Sequence, residues 1–495
     1  MIGLYRKLIS FLPRLWTNWI TLFGAVIASV SSIAIVTALA IDVTSSGLNP
    51  YAASIIFLVM PGLFLLGLFL IPLGLYRERR RKRRHPAEVV EGDPLLEGLT
   101  RAMASSVARK RVMFVLLMTV LNVFIIATVT HKAITFMETP KFCGTVCHTV
   151  MQPEYEAYLR SPHSRVECVG CHVGAGAVSA AKAKFSGLRQ LWGVATGTYK
   201  RPIETPVHGL RPARETCEQC HQPAKFSGPR LGFRVRFKDD ETNTPQVTAM
   251  MFPVGGLDPT TKNYEGIHWH VSQRFQVRYE AMDRERQIIG RIQKVENGKV
   301  VEEWLPPSDQ VGSVAGTVVE VRTMDCVDCH NRPTHIYDGP PESAINRGLA
   351  EGLLDRGVPW LHQIGVEVLK GASPARDQAE IYFAGALDQA YGRAHPAQKP
   401  AADKLQAAAK GLATLYRRNV YPEMKVTWNS YRSNLGHGGP DPGNAKTECF
   451  RCHSGDHKTK DGRELSSKCE SCHEMIAKDE IPGDLPDEIR PFLHL

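Results

Sequence analysis

The chain repeats one pentapeptide, Cys-x-x-Cys-His, five times, and carries a sixth copy that is one residue longer. The regular copies are Cys168-Val169-Gly170-Cys171-His172, Cys217-Glu218-Gln219-Cys220-His221, Cys326-Val327-Asp328-Cys329-His330, Cys449-Phe450-Arg451-Cys452-His453 and Cys469-Glu470-Ser471-Cys472-His473. The longer copy is Cys143-Gly144-Thr145-Val146-Cys147-His148. This pattern is the attachment signature for covalently bound haem c. Two thiols form thioethers to the porphyrin, and the adjacent His reaches the iron as an axial ligand. The two-residue gap sets the sulfur spacing, and the His must follow at once to sit under the ring. In the first copy the extra residue must bulge.

Zinc ribbons and disulfides are the competing readings. All 12 cysteines fall in the six pairs. A zinc site does not require His directly after the second Cys of every pair. With 18 His in 495 residues, finding one there six times by chance is on the order of a few in a billion, which favours haem. A secreted disulfide framework would not repeat one spacing so strictly.

A chain of 495 residues holds several domains. Its apolar residues are concentrated near the N-terminus. Residues 17–41, 52–76 and 112–130 are three runs, each long enough to cross a bilayer. The first run is too long for a cleavable leader and lacks a clear small-residue cleavage site, so it reads as a retained anchor. Arg6, Lys7 and Arg14 precede the first run, and a basic cluster from Arg77 to Arg84 follows the second. Arg109, Lys110 and Arg111 precede the third. The positive-inside rule then places the N-terminus and residues 77–111 in the cytoplasm and everything after Thr130 in the periplasm. Covalent haem attachment is extracytoplasmic, which agrees. The basic cluster marks topology and supplies a good part of the net charge of +10, so the pI of 9.0 does not argue for a nucleic-acid partner.

The expected architecture is a membrane-anchored multihaem c-type cytochrome. It has three transmembrane helices and an irregular, mostly α periplasmic haem domain with a β insertion. Residues 1–76 form two spans, 77–111 a basic linker and 112–130 the third span. That span delivers the chain almost directly to the first motif, so the first haem sits near the membrane surface. Residues 131–228 hold motifs one to three. Residues 229–325 alternate and are rich in β-branched residues, with Asn297-Gly298 as a hairpin signal. This antiparallel insertion is expected to bring His268 and His270 to haem iron. The fourth motif occupies 326–340. Residues 341–420 lack cysteine and predict two to four helices, broken at Pro359, Pro374, Pro396 and Pro400. Residues 421–495 read as loop-like and carry the last two motifs, with a tail that adds no motif.

The third span, Phe142-Cys143, Cys147-His148-Thr149-Val150-Met151 and His163-x4-Cys168-x2-Cys171-His172 together resemble the NapC/NirT family over residues 112–225. These are membrane-anchored multihaem quinol dehydrogenases. Its members usually have a single span and fewer haems, so this chain is similar to a larger variant. Arg-Pro-Ala-Arg-x-Thr-Cys at 211–217, His-Trp-His at 268–270 and Cys-His-Asn-Arg-Pro-Thr-His at 329–335 are shared with that larger group. The resemblance implies that a haem at the membrane face accepts electrons from menaquinol or ubiquinol and that later haems pass them outward. It implies Met151 as a ligand of the first haem, and Lys182 or Lys184 as a quinol-site residue. A lysine meeting lipid headgroups would look the same. Glu138 is a candidate acceptor of the quinol proton.

Low-spin, electron-carrying haems use a second axial ligand. The motif ligands are His148, His172, His221, His330, His453 and His473. His85, His131, His362, His395 and His494 are set aside by position. His163, His208, His268, His270, His335, His437 and His457 remain, so supply nearly equals demand. That balance favours six-coordinate haems, and a substrate-binding haem would need one left open.

Three functions fit. The first is quinol oxidation with relay through six haems c to a periplasmic cytochrome or reductase. The second is a relay subunit docked to other respiratory-complex subunits within the membrane lipid. The third is a terminal oxyanion reductase acting at a five-coordinate haem. Spans in series with haems favour the first.

Overall fold

The structure, a computed structural model, describes residues 19–44, 50–84, 106–146, 148–174, 176–207, 211–226, 228–257, 264–272, 274–307, 318–436 and 447–493. It divides into two compact units, Met1–His148 and Thr149–Leu495.

The first unit contains α1 (Trp19–Thr44), α2 (Pro50–Arg84), α3 (Ser106–Glu138) and the short α4 (Pro140–Thr145). Among the described residues, Trp19–Thr37 and Val120–Glu138 are long and apolar enough to cross a membrane, and Val59–Gly74 is a shorter apolar stretch. Large side chains such as Trp19, Phe23, Phe69 and Phe124 point outward. The inward contacts are small: a Cβ on Gly24 would lie 2.8 Å from the Gly67 carbonyl, so α1 and α2 approach backbone to backbone there. The third helix is longer than the apolar run at 112–130. No Gly or Pro interrupts 106–138, so the helix starts in the basic segment and continues through His131. It stops where Thr139 turns extended ahead of Pro140 and caps α4 through a hydrogen bond from the Phe142 N–H.

The second unit opens with α5 (His148–Leu159), α6 (Cys168–His172), α7 (Ala177–Thr196) and α8 (Ala213–Cys217). Two larger antiparallel sheets follow, with a two-stranded ribbon, Gly256–Leu257 against Tyr264–Glu265, between them in the chain. Strands β1 (Arg230–Phe237) and β2 (Pro245–Phe252) form one. Strands β3 (Gln276–Ala281), β4 (Ile289–Glu296), β5 (Lys299–Trp304) and β6 (Glu320–Thr323) form the other, in the order β5-β4-β3-β6. Asn297 and Gly298 both take positive φ, 50° and 77°, as a tight hairpin between β4 and β5 requires. Past the last motif the chain forms β7 (Glu474–Glu480), which pairs with β2 so that Ala477 faces Ala249. The tail read as loop is therefore a sheet edge. Its apolar positions Met475, Ile476 and Ala477 are too few to announce a strand until β2 supplies the ladder.

Between the sheets and the last motifs lie α9 (Cys326–Cys329), α10 (Pro341–Ala350), α11 (Leu361–Leu369), α12 (Ala379–Ala394) and α13 (Ala402–Asn419). The last four enclose the largest apolar core, around Ile345, Phe383, Tyr391, Leu412 and Tyr416. The prolines that break this segment also serve its core. The Pro359 carbonyl accepts from Tyr391 at 2.6 Å, and the Pro374 carbonyl from Tyr416 at 2.9 Å. Both buried hydroxyls are thereby satisfied.

Candidate functional site

Each regular motif folds as one helical turn. Backbone N–H groups of His221, His330, His453 and His473 donate to the carbonyl of the first Cys of their own motif, at 2.7, 2.8, 3.1 and 3.0 Å. Cys168–His172 is helical throughout. Residues i, i+3 and i+4 of a helical turn share one face, so both thiols and the imidazole point the same way. The spacing of the motif is the helical period. For the first motif, α4 covers Cys143 and stops at Thr145, and Cys147 lies outside the described residues.

Four motif histidines face a second histidine from elsewhere in the chain. Ring centroids are 6.2 Å apart for His172 and His335, and 6.0 Å for His221 and His163. They are 6.5 Å apart for His330 and His268, and 5.8 Å for His453 and His270. Metal–imidazole bonds of about 2 Å on each side, plus the ring radius, put trans imidazole centroids about 6 Å apart. The gap therefore fits one metal ion shared by two rings. Among the described residues no group of three or more His, Cys, Asp or Glu gathers as a zinc cage would require.

The second histidine of every pair is held alike. Nδ1 of His163 donates to the Pro333 carbonyl (3.1 Å), His268 to Val254 (3.0 Å), His270 to Ile267 (2.8 Å) and His335 to Glu154 (3.0 Å). A carbonyl can only accept, so the proton sits on Nδ1 and the Nε2 lone pair is left for a metal. Such an anchor fixes both tautomer and ring orientation. His268 and His270 sit together on a 3-10 turn, Ile267–Val271, that leads into β3. The Glu154 carboxylate also pairs with Arg332 and with His335.

His457 is placed differently from those four. It is buried, and its Nε2 donates to the carbonyls of Ile289 (3.2 Å) and Gly290 (3.0 Å) on β4. Burial lowers the pKa of this imidazole. His362 bonds Asp239 through Nδ1, and His395 stacks on Trp360 at 4.1 Å. The Phe252 ring meets His473 at 5.7 Å. His208 and His437 lie outside the described residues, as do His85 and His494. Met151 is half-buried on α5, Lys182 is exposed on α7, and Lys184 lies on the same helix.

The motifs of the second unit adjoin one another in chain order. Cys171 lies within electrostatic reach of Cys217 and Cys220. Cys217 and Cys326 are within sulfur hydrogen-bonding reach. Cys329 neighbours Cys449 and Cys452, and Cys472 neighbours Cys449. One carboxylate fastens the third motif to the fourth. Asp325 accepts from the Ala213 N–H at the start of α8 (2.6 Å) and from the Cys326 N–H at the start of α9 (2.7 Å).

A buried ionic cluster joins the fourth motif to the fifth. The Asp328 carboxylate accepts from Tyr279 (2.6 Å), from Arg322 Nε (3.0 Å) and from the Asp325 N–H (2.7 Å). Its backbone carbonyl accepts from Arg451 of the fifth motif (2.8 Å) and from Asn434 (3.1 Å). Burial, reinforced by the Asp328 charge, raises the Tyr279 pKa, and Asp328 raises that of Arg322 against the effect of burial. The motif pattern does not signal this cluster. Glu218 and Glu470 occupy the gaps of two other motifs, so an acidic residue there does not single out Asp328.

The model for the N-terminal region of the NapC/NirT cytochrome c family matches residues 105–206. The cytochrome c-type protein ImcH of Geobacter sulfurreducens is 37% identical over 484 residues, which cover 97% of this chain and 92% of that protein. No solved structure matches the chain.

Proposed function

The chain belongs to the NapC/NirT family of cytochromes c, membrane electron-transfer proteins with covalently bound haem c, and from that premise we propose that it takes electrons from the quinol pool and relays them through six haems to a periplasmic acceptor. When bound, each haem supplies a one-electron iron couple. The observation that carries the reading is the set of four opposed histidine pairs. Each pair would hold its haem iron between two imidazoles, which suits electron exchange and would leave no position for substrate. The serial adjacency of motifs two to six supports a single path along the chain.

In this reading the six motifs use all 12 cysteines. His335, His163, His268 and His270 are the second ligands of motifs two, three, four and five. His208, His437 and Met151 are left for the first and last motifs. His457, with Nε2 engaged, has a structural part. Helices α1, α2 and α3 are the three spans, with the basic segments cytoplasmic and the motifs periplasmic. Pro61 and Pro72 within α2 and the Gly24–Gly67 approach suit helices packing in lipid. The first motif follows α3 within a few residues, so Cys143 and His148 would hold a haem near the membrane face, where quinol could reach it. Lys182 or Lys184 hydrogen-bonds the quinol oxygen, and Glu138 receives a proton. The acceptor is a periplasmic cytochrome or reductase.

The test is anaerobic addition of a menaquinol or ubiquinol analogue to purified, haem-loaded protein, following the reduced-haem absorption band. Rapid reduction blocked by a quinol-site inhibitor is expected. Full reduction by dithionite with none by either quinol would overturn the reading. The chain would then be a relay subunit, identified by what it co-purifies with.

A further inference from the structure

We propose that α7 lies flat on the bilayer and binds anionic phospholipid headgroups, a second membrane contact besides the spanning helices. Phe185, Leu188 and Trp192 recur at intervals of three and four residues and so share one helix face. They are 75%, 59% and 71% exposed, and Leu191 beside them is 41% exposed. The C-terminal end of the helix meets the protein on the other side. Val194, about half a turn round from Phe185, packs against the buried cluster of Val150, Tyr421 and Met424. The small residues Ala183, Ser186, Gly187 and Gly193 fall on that side and are only partly exposed. Gly197, at a φ of 67°, ends the helix by sending its N–H back to Gly193 and Val194.

Charge identifies the occupant. Lys182 and Arg189 are exposed and border the apolar face, and no Asp or Glu occurs between Gly174 and Lys200. A cationic helix with Phe, Leu and Trp on one side fits the boundary between headgroups and acyl chains. There Trp prefers to sit, and basic side chains reach outward to phosphate. A protein partner of matching shape would have to present an acidic apolar groove. A bilayer with anionic lipid offers the same chemistry without a specific partner.

The experiment uses full-length, haem-loaded protein in lipid nanodiscs. A nitroxide is attached after Leu188→Cys, and for comparison after Ile381→Cys, a site 79% exposed on α12. Wild-type protein taken through the same labelling is the blank. Power-saturation EPR compares collisions with oxygen, which concentrates in lipid, and with a water-soluble nickel chelate. The expected result is a several-fold higher oxygen-to-nickel ratio at position 188 than at 381 in discs with anionic lipid. That ratio should fall when Arg189→Glu is added or when the lipid is made zwitterionic. A label at 188 as open to nickel as that at 381 overturns the proposal. So does a label shielded from both reagents, because protein would then cover the face. The readout involves no quinol, so failure of quinol oxidation leaves it intact.

Discussion

His268 and His330 present imidazole rings 6.5 Å apart whose planes are parallel to within 6°, whereas His270 and His453 cross at 84°. Two histidines separated only by Trp269 thus impose opposite ring orientations on neighbouring sites. The g-anisotropy of a low-spin ferric haem grows as its axial imidazole planes rotate from parallel toward perpendicular. The oxidised protein should therefore show one rhombic low-spin EPR signal from the fourth motif and strongly anisotropic signals from the third and fifth. A spectrum of uniform rhombic signals would contradict these orientations.

Removing the second ligand of one pair should affect one site. His268→Ala is expected to convert a single haem from low to high spin, read as a new high-spin EPR signal and a charge-transfer band. The rhombic signal should disappear and the other low-spin signals should persist. His270→Ala should instead remove one of the strongly anisotropic signals.

His457 offers the opposite outcome. Its Nε2 donates to two β4 carbonyls, and the residue is 2% exposed. His457→Phe should leave the number of low-spin haems unchanged. It should destabilise the fold by about 1–3 kcal/mol, because the two carbonyls lose their donor. Thermal unfolding combined with the EPR count separates the two effects. A high-spin haem appearing in this variant would return His457 to the ligand set.

Asp328 lies inside the fourth motif with its carboxylate shared by Tyr279 and Arg322. Asp328→Asn removes a negative charge beside His330 and leaves the Arg322 charge behind. The reduction potential of the fourth haem should rise, since the ferric state loses its neighbouring anion. Breaking a buried ion pair should also cost about 3–5 kcal/mol of stability. Redox titration of the rhombic EPR signal tests the first effect, and denaturant unfolding tests the second.

Haem stoichiometry tests the motif reading directly. The mass of the denatured protein should exceed that of its polypeptide by six haems. Cys147→Ser together with Cys143→Ser should lower the count by one and leave the five regular motifs loaded. A wild-type count of five would assign the shortfall to the longer first motif.

The sequence by itself settled the positions of the thiols and of the first imidazole of each regular motif, because these depend on local geometry. Cys i, Cys i+3 and His i+4 share one helical turn wherever they occur. It also marked the Asn297-Gly298 hairpin and the proline-broken helices after Pro341, which are equally local. The pairings were not local. His163 meets His221 and His335 meets His172, and nothing near either residue in the chain names its partner. For His163 a distant carbonyl, that of Pro333, takes the Nδ1 proton and leaves Nε2 open. For His457 the β4 carbonyls take the Nε2 proton instead, although the two histidines look alike in sequence. The buried Asp328 cluster and the strand at Glu474–Glu480 were decided the same way. The cluster draws on Tyr279, 49 residues from Asp328, and on Arg451, 123 residues away, and the strand needs the edge of β2; tertiary packing alone brings these into hydrogen-bonding range.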